Sequence, residues 1–134
     1  MLARLVTVIL LLAAAPTQAQ AQDTPYLFDL LEQSAYLKAW NGMLKGETVP
    51  PWVKSYAKTF DGPATPSTEV PVGGQPYTLA WVCKAHDCGD NQLYVLFAPE
   101  GRQAWGLLIS AGDERKWLGN PDAAVQAAIL SGVQ

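Results

Sequence analysis

From Thr65 onward the chain alternates between strand-like runs and turn signals, and this pattern narrows its possible folds more than any other feature. Apolar residues recur there with a period of two, which is the period of a half-buried β-strand. Gly73-Gly74 suits the positive φ angles of a two-residue hairpin. The run 93–97 is apolar at every position, as expected of a central strand covered on both faces. The runs fall at residues 69–72, 75–82, 93–97, 102–110 and around Trp117, with further turn signals at Pro99-Glu100-Gly101 and Gly112-Asp113.

Helical patterns lie on either side of this strand-rich region. A first helix is predicted to begin at Thr24-Pro25 and to end between residues 41 and 46. A short second helix is predicted from Pro50-Pro51 to Asp61-Gly62-Pro63, and a last one from Asn120-Pro121-Asp122. The order of helices, strands and helix predicts an α+β fold, with a five-stranded antiparallel sheet flanked by helices. The apolar stripe of the first helix comprises Leu27, Leu30, Leu31, Ala35 and Leu44, and that of the last helix Val125, Ala128 and Ile129.

The aromatic residues fall mostly on these apolar stripes. In the run 75–82, Tyr77, Leu79 and Trp81 point to one face, and Thr78, Ala80 and Val82 to the other. Large aromatic side chains on such stripes are usually buried. We therefore expect core positions for Trp40, Trp52, Trp105 and Trp117, and interface positions only for Trp81 and Tyr94.

Residues 1–21 have the pattern of a secretory signal peptide. Arg4 supplies the charged start, residues 5–15 an apolar centre, and Ala19-Gln20-Ala21 a small-x-small cleavage pattern. The apolar run of about 11 residues is shorter than the roughly 20 that a membrane-spanning helix needs. We expect removal of residues 1–21 and export of 22–134 as one domain that is not inserted in a membrane.

The charge of the exported region argues against nucleic acid as a partner. The whole chain has a formal charge of -3, and removing Arg4 changes this to about -4. No block of Lys or Arg is available to bind phosphates. A mildly acidic surface permits a basic macromolecule as partner, although a charge this small does not by itself indicate one.

Cys83 and Cys88 are the two cysteines of the chain, and they bracket its single histidine, His86. An even cysteine count in an exported protein predicts that they pair with each other. A loop this short is stabilised by only about 2 kcal/mol in the chain-entropy description. The disulfide is therefore expected to serve chiefly by fixing the shape of the residues between the cysteines.

Several functions are compatible with this loop. It can be a structural staple with an exposed, idle histidine. A metal site is conceivable because Cys, His and Asp lie close together. The spacing differs from that of four-ligand sites, however, and oxidised sulfurs do not bind metal. A redox site would need two residues between the cysteines rather than four. Catalysis by His86 lacks a serine elbow or a second histidine, and adjacent Asp87 is poorly placed to orient the imidazole. The remaining possibility is a rigid loop that is presented to another protein.

The loop resembles the signature loop of the Ivy family, the periplasmic inhibitors of vertebrate (C-type) lysozyme, whose usual form is Cys-Lys-Pro-His-Asp-Cys. The likeness extends over nearly the whole exported region. It includes the Gly-Gly hairpin before the loop, the strand QLYVLF after it, the run WGLL at 105–108 and the Gly-Asn-Pro that opens the last helix. The inhibitory loop so identified is Cys83, Lys84, Ala85, His86, Asp87 and Cys88.

The resemblance implies a function and a location. It implies a periplasmic protein that is not an enzyme, that needs no cofactor or metal, and that forms a homodimer. The loop would enter the active-site cleft of a C-type lysozyme, where His86 would meet the two catalytic carboxylates. Lys84 and Asp87 would flank it, either forming hydrogen bonds to the cleft walls or within the loop, or remaining ordinary solvated charges. Ala85 departs from the family's proline, which leaves open which lysozymes are bound. A second hypothesis is a regulator of the cell's own peptidoglycan-cleaving enzymes, such as lytic transglycosylases. A third, an enzyme acting on cell-wall sugars, would require turnover of peptidoglycan fragments.

Overall fold

The computed structural model describes residues 23–134, which form four α-helices, two short 3-10 helices and one five-stranded sheet. The predicted signal peptide, residues 1–21, lies outside the described residues. All neighbouring strands are antiparallel, and their spatial order is their order in the sequence. The predicted α+β class and the five-stranded sheet are confirmed. The elements are α1 Leu27–Leu31, α2 Ser34–Leu44, α3 Pro51–Thr59, β1 Ala64–Val72, β2 Gln75–Cys83, β3 Gln92–Phe97, β4 Ala104–Ser110, β5 Glu114–Leu118 and α4 Ala123–Leu130.

The prediction of one long first helix is wrong, because the structure divides it into α1 and α2. Gln33, the residue before α2, has extended backbone angles that interrupt the helical hydrogen bonds. The break lets each helix turn its own apolar residues to one core, and predicted stripe residue Ala35 is consequently exposed. The start also lies later than predicted: Tyr26 is the N-cap, and the Pro25 carbonyl accepts a hydrogen bond from the Ser67 N–H of β1.

Both faces of the sheet are covered. Helices α1 to α3 pack on one face and α4 on the other, which gives two hydrophobic clusters. The predicted alternation along β2 is confirmed, because Leu79 belongs to the α4 cluster whereas Ala80 and Val82 belong to the opposite cluster. Residues 93–97 of β3 are buried throughout, as predicted for a central strand. Within 23–134, no helix is both long and apolar enough to cross a lipid bilayer.

The tryptophans differ in their burial. Trp40 is fully buried, as predicted, whereas Trp52, Trp105 and Trp117 are half-buried residues that pack against the two clusters from their margins. The prediction of core positions therefore holds fully for Trp40 and only partly for the other three. Trp81 is half-buried and Tyr94 is buried.

Tyr56 of α3 is buried beside Trp40 and Phe60. Its hydroxyl has no hydrogen-bond partner among residues 23–134. Burial, together with the negative charge of Asp29, raises the pKa of Tyr56 to about 12. The phenol therefore stays neutral at physiological pH, and Tyr56 contributes through packing.

The last helix has a side-chain cap that can be tested. Asp122 is the N-cap of α4, two residues later than the predicted Asn120, and its Oδ1 accepts a hydrogen bond from the Val125 N–H at 2.9 Å. Asp122→Ala is expected to lower the free energy of unfolding by about 1 kcal/mol, measured by chemical denaturation. Asp122→Asn keeps an acceptor and should retain most of the stability. An equal loss in both variants would show that the charge, rather than the cap bond, stabilises α4.

Candidate functional site

The predicted loop lies at the end of the sheet between β2 and β3. Cys83, the last residue of β2, is disulfide-bonded to Cys88 with a Cα–Cα distance of 4.9 Å. Cys83 is fully buried, whereas Cys88 is half-buried. The predicted pairing is therefore present in the structure, and it joins the loop to the framework of the sheet.

Hydrogen bonds hold the loop in addition to the disulfide. The Lys84 N–H donates to the Asn91 carbonyl at 3.0 Å, which extends the β2–β3 ladder by one residue. Inside the loop the Asp87 N–H donates to the Lys84 carbonyl, and the Asn91 N–H donates to the Asp87 carbonyl, each at 3.1 Å. The loop backbone is thus fixed at both ends and across its middle, which lowers the entropy lost when it binds a partner.

Asp87 is held inside the loop by its side chain as well. Its Oδ2 accepts a hydrogen bond from Asn91 Nδ2 at 2.8 Å and lies 3.6 Å from Lys84 Nζ. An exposed pair such as Lys84–Asp87 contributes little to stability in water. The bond to Asn91 is the tighter of the two, so Asp87 acts mainly as a brace for the loop.

His86 is at the exposed tip of the loop. Its φ angle is +65°, in the left-handed region, where Asn, Asp and His are the least unfavourable of the residues with side chains. Among residues 23–134, none forms a hydrogen bond or an ion pair with the imidazole, and the adjacent Asp87 carboxylate is engaged by Asn91 and Lys84. Both ring nitrogens are therefore available to a partner.

A segment after α3 supports the base of the loop from outside the hairpin. The Pro63 carbonyl accepts a hydrogen bond from the Cys83 N–H at 3.0 Å. Gly62 has a φ angle of +138°, and a Cβ at this position would overlap the carbonyl oxygen of Cys83. The sequence indicated Gly62-Pro63 only as the end of a helix. Its contact with the loop was not predicted, because the two segments are about twenty residues apart in the chain.

A small pocket of about 260 Å³ opens beside the loop, on the face of the sheet that α4 covers. Gln92, directly opposite Cys83 across β2 and β3, contributes to it together with Trp81 and Tyr94. Gln92 Oε1 accepts two hydrogen bonds, from Trp81 Nε1 at 3.3 Å and from the Tyr94 hydroxyl at 3.1 Å. The prediction of Trp81 and Tyr94 beside the loop is confirmed in its geometry. Gln92, which joins them, was not predicted.

The loop presents an exposed imidazole on a backbone that a disulfide and hydrogen bonds restrain. In the described part of the chain, no group of three or more His, Cys, Asp or Glu side chains is placed to hold a metal ion. Both cysteine sulfurs are in the disulfide. Fold and site together define a small α+β protein that carries a braced, disulfide-closed loop with an exposed histidine at its tip.

Comparison with known proteins agrees with this class. The sequence model of the family described as "Inhibitor of vertebrate lysozyme (Ivy)" matches residues 35–129. A Pseudomonas aeruginosa protein named "Inhibitor of vertebrate lysozyme" is 40% identical over an alignment covering 95% of this chain and 90% of that protein. An Escherichia coli K12 protein of the same name is 29% identical, over 92% of this chain and 78% of its own. An uncharacterized Yersinia pestis protein is 30% identical over an alignment that covers 81% of this chain and 77% of that protein.

The chain therefore belongs to the Ivy family. This confirms the resemblance inferred from the loop hexapeptide and its surroundings. The family's description is that of an inhibitor protein, which confirms the expectation that the chain is not an enzyme.

Proposed function

We propose that this protein inhibits C-type lysozyme by inserting the loop Cys83 to Cys88 into the catalytic cleft, with His86 reaching the catalytic carboxyl groups. The observation that carries the proposal is the free imidazole of His86 at the exposed tip of a braced loop, in a member of the Ivy family. The name of the Pseudomonas aeruginosa relative, an inhibitor of vertebrate lysozyme, supports the choice of target.

The chemistry of the target suits an imidazole. A retaining glycosidase holds two carboxyl groups about 5 Å apart, one as the acid and one as the nucleophile. An imidazole has two nitrogens and readily takes up a proton near neutral pH, so it can bond to both groups or neutralise their charge. Occupation of this place by His86 would exclude the sugar and engage both catalytic groups. No covalent step is required.

Preorganisation explains how the loop can act without the family's proline. Ala85 stands at that position, and loss of proline would weaken binding by about 0.4 to 1 kcal/mol if nothing compensated. The bonds from Asp87 to Lys84 and from Asn91 to Asp87 restrict the same backbone. We infer that they offset part of this loss, and that Lys84 and Asp87 serve the loop more than they contact the cleft.

The family and the N-terminal sequence support a further proposal on location, biological role and oligomeric state. We propose that residues 1–21 direct export to the periplasm, that the exported protein protects peptidoglycan from hydrolysis, and that it functions as a homodimer. Size-exclusion chromatography with light scattering tests the dimer. A pull-down from a periplasmic extract without added lysozyme tests the alternative partner, an endogenous lytic transglycosylase, and recovery of none would exclude that role.

The direct test is a titration of purified 22–134 into an assay of C-type lysozyme lysing bacterial cell walls. The proposal expects saturable inhibition at a fixed stoichiometry. Absence of inhibition at micromolar protein, with the fold verified by circular dichroism, would overturn it.

Removal of the disulfide gives the corresponding prediction for the loop. In the double variant Cys83→Ala with Cys88→Ala, the loop can sample more conformations and must be ordered upon binding. We expect inhibition to weaken by about 2 kcal/mol, which is roughly 30-fold in the inhibition constant. A thermal unfolding curve shows whether the variant is folded at the assay temperature. Unchanged inhibition by the folded variant would show that the hydrogen bonds suffice to hold the loop.

A further inference from the structure

The pocket beside the loop has no role in the proposed mechanism of inhibition, although it lies next to the residues that carry that mechanism. Thr65, Trp81 and Tyr94 are cross-strand neighbours on β1, β2 and β3, and they lie in a row across the sheet. Gln92 is next to this row at the loop end, opposite Cys83. The pocket therefore begins where the loop ends, so a protein that receives the loop in a cleft would bring the rim of that cleft to the pocket. Its lining residues are Thr65, Trp81, Gln92, Tyr94, Gly132 and Gln134.

The Gln92 side chain leaves one polar group unpaired. An indole nitrogen can only donate a hydrogen bond, so the Gln92 atom that faces Trp81 Nε1 must be its amide oxygen. That oxygen also accepts from the Tyr94 hydroxyl. The amide nitrogen of Gln92 has no hydrogen bond to any residue in the range 23–134. It is thus oriented by two neighbours and remains able to donate.

The lining of the pocket defines what it can take. None of its six side chains carries a charge at neutral pH. Trp81 is half-buried, and aromatic side chains in partly enclosed pockets beside an interface are the residues that most often dominate binding. The fitting group is neutral and small, has an apolar part to lie against the indole, and has an oxygen that accepts from Gln92 Nε2.

We propose that this pocket is a second contact with the target glycosidase, that it takes a neutral hydrogen-bond acceptor from the cleft rim, and that it helps to select among target enzymes. The inference rests on the proposed function. The two catalytic carboxyl groups that meet His86 are common to glycosidases of this type, so the loop alone discriminates poorly between them. Residues at the rim differ between enzymes, and a donor that becomes buried on binding without an acceptor weakens binding to an enzyme that lacks one.

The variant Gln92→Glu tests the donor in isolation. A carboxylate can still accept the hydrogen bonds of Trp81 and Tyr94, so the aromatic pair stays in place, whereas the amide donor is lost. Inhibition constants are measured for hen and human C-type lysozymes with wild type, Gln92→Glu and His86→Ala. We expect Gln92→Glu to weaken inhibition of at least one enzyme about tenfold, and to change the ratio of the two constants. His86→Ala should weaken inhibition of both enzymes by a similar factor.

Salt separates the donor from the added charge. The inhibition constants are measured again in 0.5 M NaCl. Weakening caused only by the charge of the glutamate should largely disappear there, whereas weakening caused by loss of the donor should persist. The proposal would be overturned if Gln92→Glu had the same inhibition constants as wild type for both enzymes. An equal loss for both enzymes would overturn it too, since the pocket would then only support the loop. If wild type inhibits neither enzyme, the proposed function itself fails and the pocket proposal fails with it.

Discussion

Replacing His86 by Ala is expected to weaken inhibition of a C-type lysozyme by about 2 to 4 kcal/mol, roughly 30- to 1,000-fold in the inhibition constant. The imidazole is exposed and makes no hydrogen bond or ion pair with residues 23–134, so the fold should not depend on it. Its removal takes away the group that would meet the two carboxyl groups. The inhibition constant is measured from cell-wall lysis, and the melting temperature is measured beside it.

A second substitution separates the imidazole from the backbone. Alanine adopts a φ angle of +65° less favourably than histidine does. Part of the effect of His86→Ala can therefore come from a changed backbone conformation at the tip of the loop. Asparagine adopts left-handed angles readily and lacks an ionisable ring. We expect His86→Asn to keep the loop conformation and still lose most of the inhibition. Full inhibition by either folded variant would remove His86 from the mechanism.

Gly62→Ala is expected to have the largest effect on stability, about 3 kcal/mol or more. Its φ angle of +138° is accessible almost only to glycine, and the added Cβ would meet backbone rather than a flexible side chain. Relief would require the segment around Gly62-Pro63 to move away from Cys83, which breaks the hydrogen bond to the Pro63 carbonyl. Chemical denaturation measures the loss of stability.

Gly89→Ala is the matched control for this substitution. Gly89 directly follows the loop in the connection between β2 and β3, does not have a positive φ angle, and has open space where a Cβ would lie. The change should alter stability by less than about 0.5 kcal/mol. We also expect Gly62→Ala to reduce inhibition in molecules that remain folded, because the loop base would lose its outer support. Similar free energies of unfolding for the two variants would show that the segment around Gly62 can move to accommodate a Cβ without loss of stability.

The sheet could be predicted because its signals are local. The alternation in β2, the Gly73-Gly74 turn and the apolar run of β3 each occupy fewer than ten consecutive residues, and all were found as predicted. The break at Gln33 could not be predicted, because helical periodicity continues through it and only packing against the sheet determines that two helices are better than one.

The site was predictable in its tip and not in its supports. Its two cysteines and His86 lie within six consecutive residues, so the hexapeptide identified them. Gln92 is eleven residues from Trp81, and Gly62 is twenty-one from Cys83, and neither separation leaves a pattern in the sequence. Supports of this kind become visible only when the register of the strands is known.

The order of the strands has a consequence for how the protein acquires its loop. Each strand pairs with the next in sequence, so the chain can build its sheet hairpin by hairpin, with little entropy spent on closing long segments. The β2–β3 hairpin contains Cys83 and Cys88, which are five residues apart. Oxidation of this pair can therefore proceed on one hairpin as it forms. Bringing the two cysteines together therefore requires only β2, β3 and the connection between them, and none of the helices on either face of the sheet.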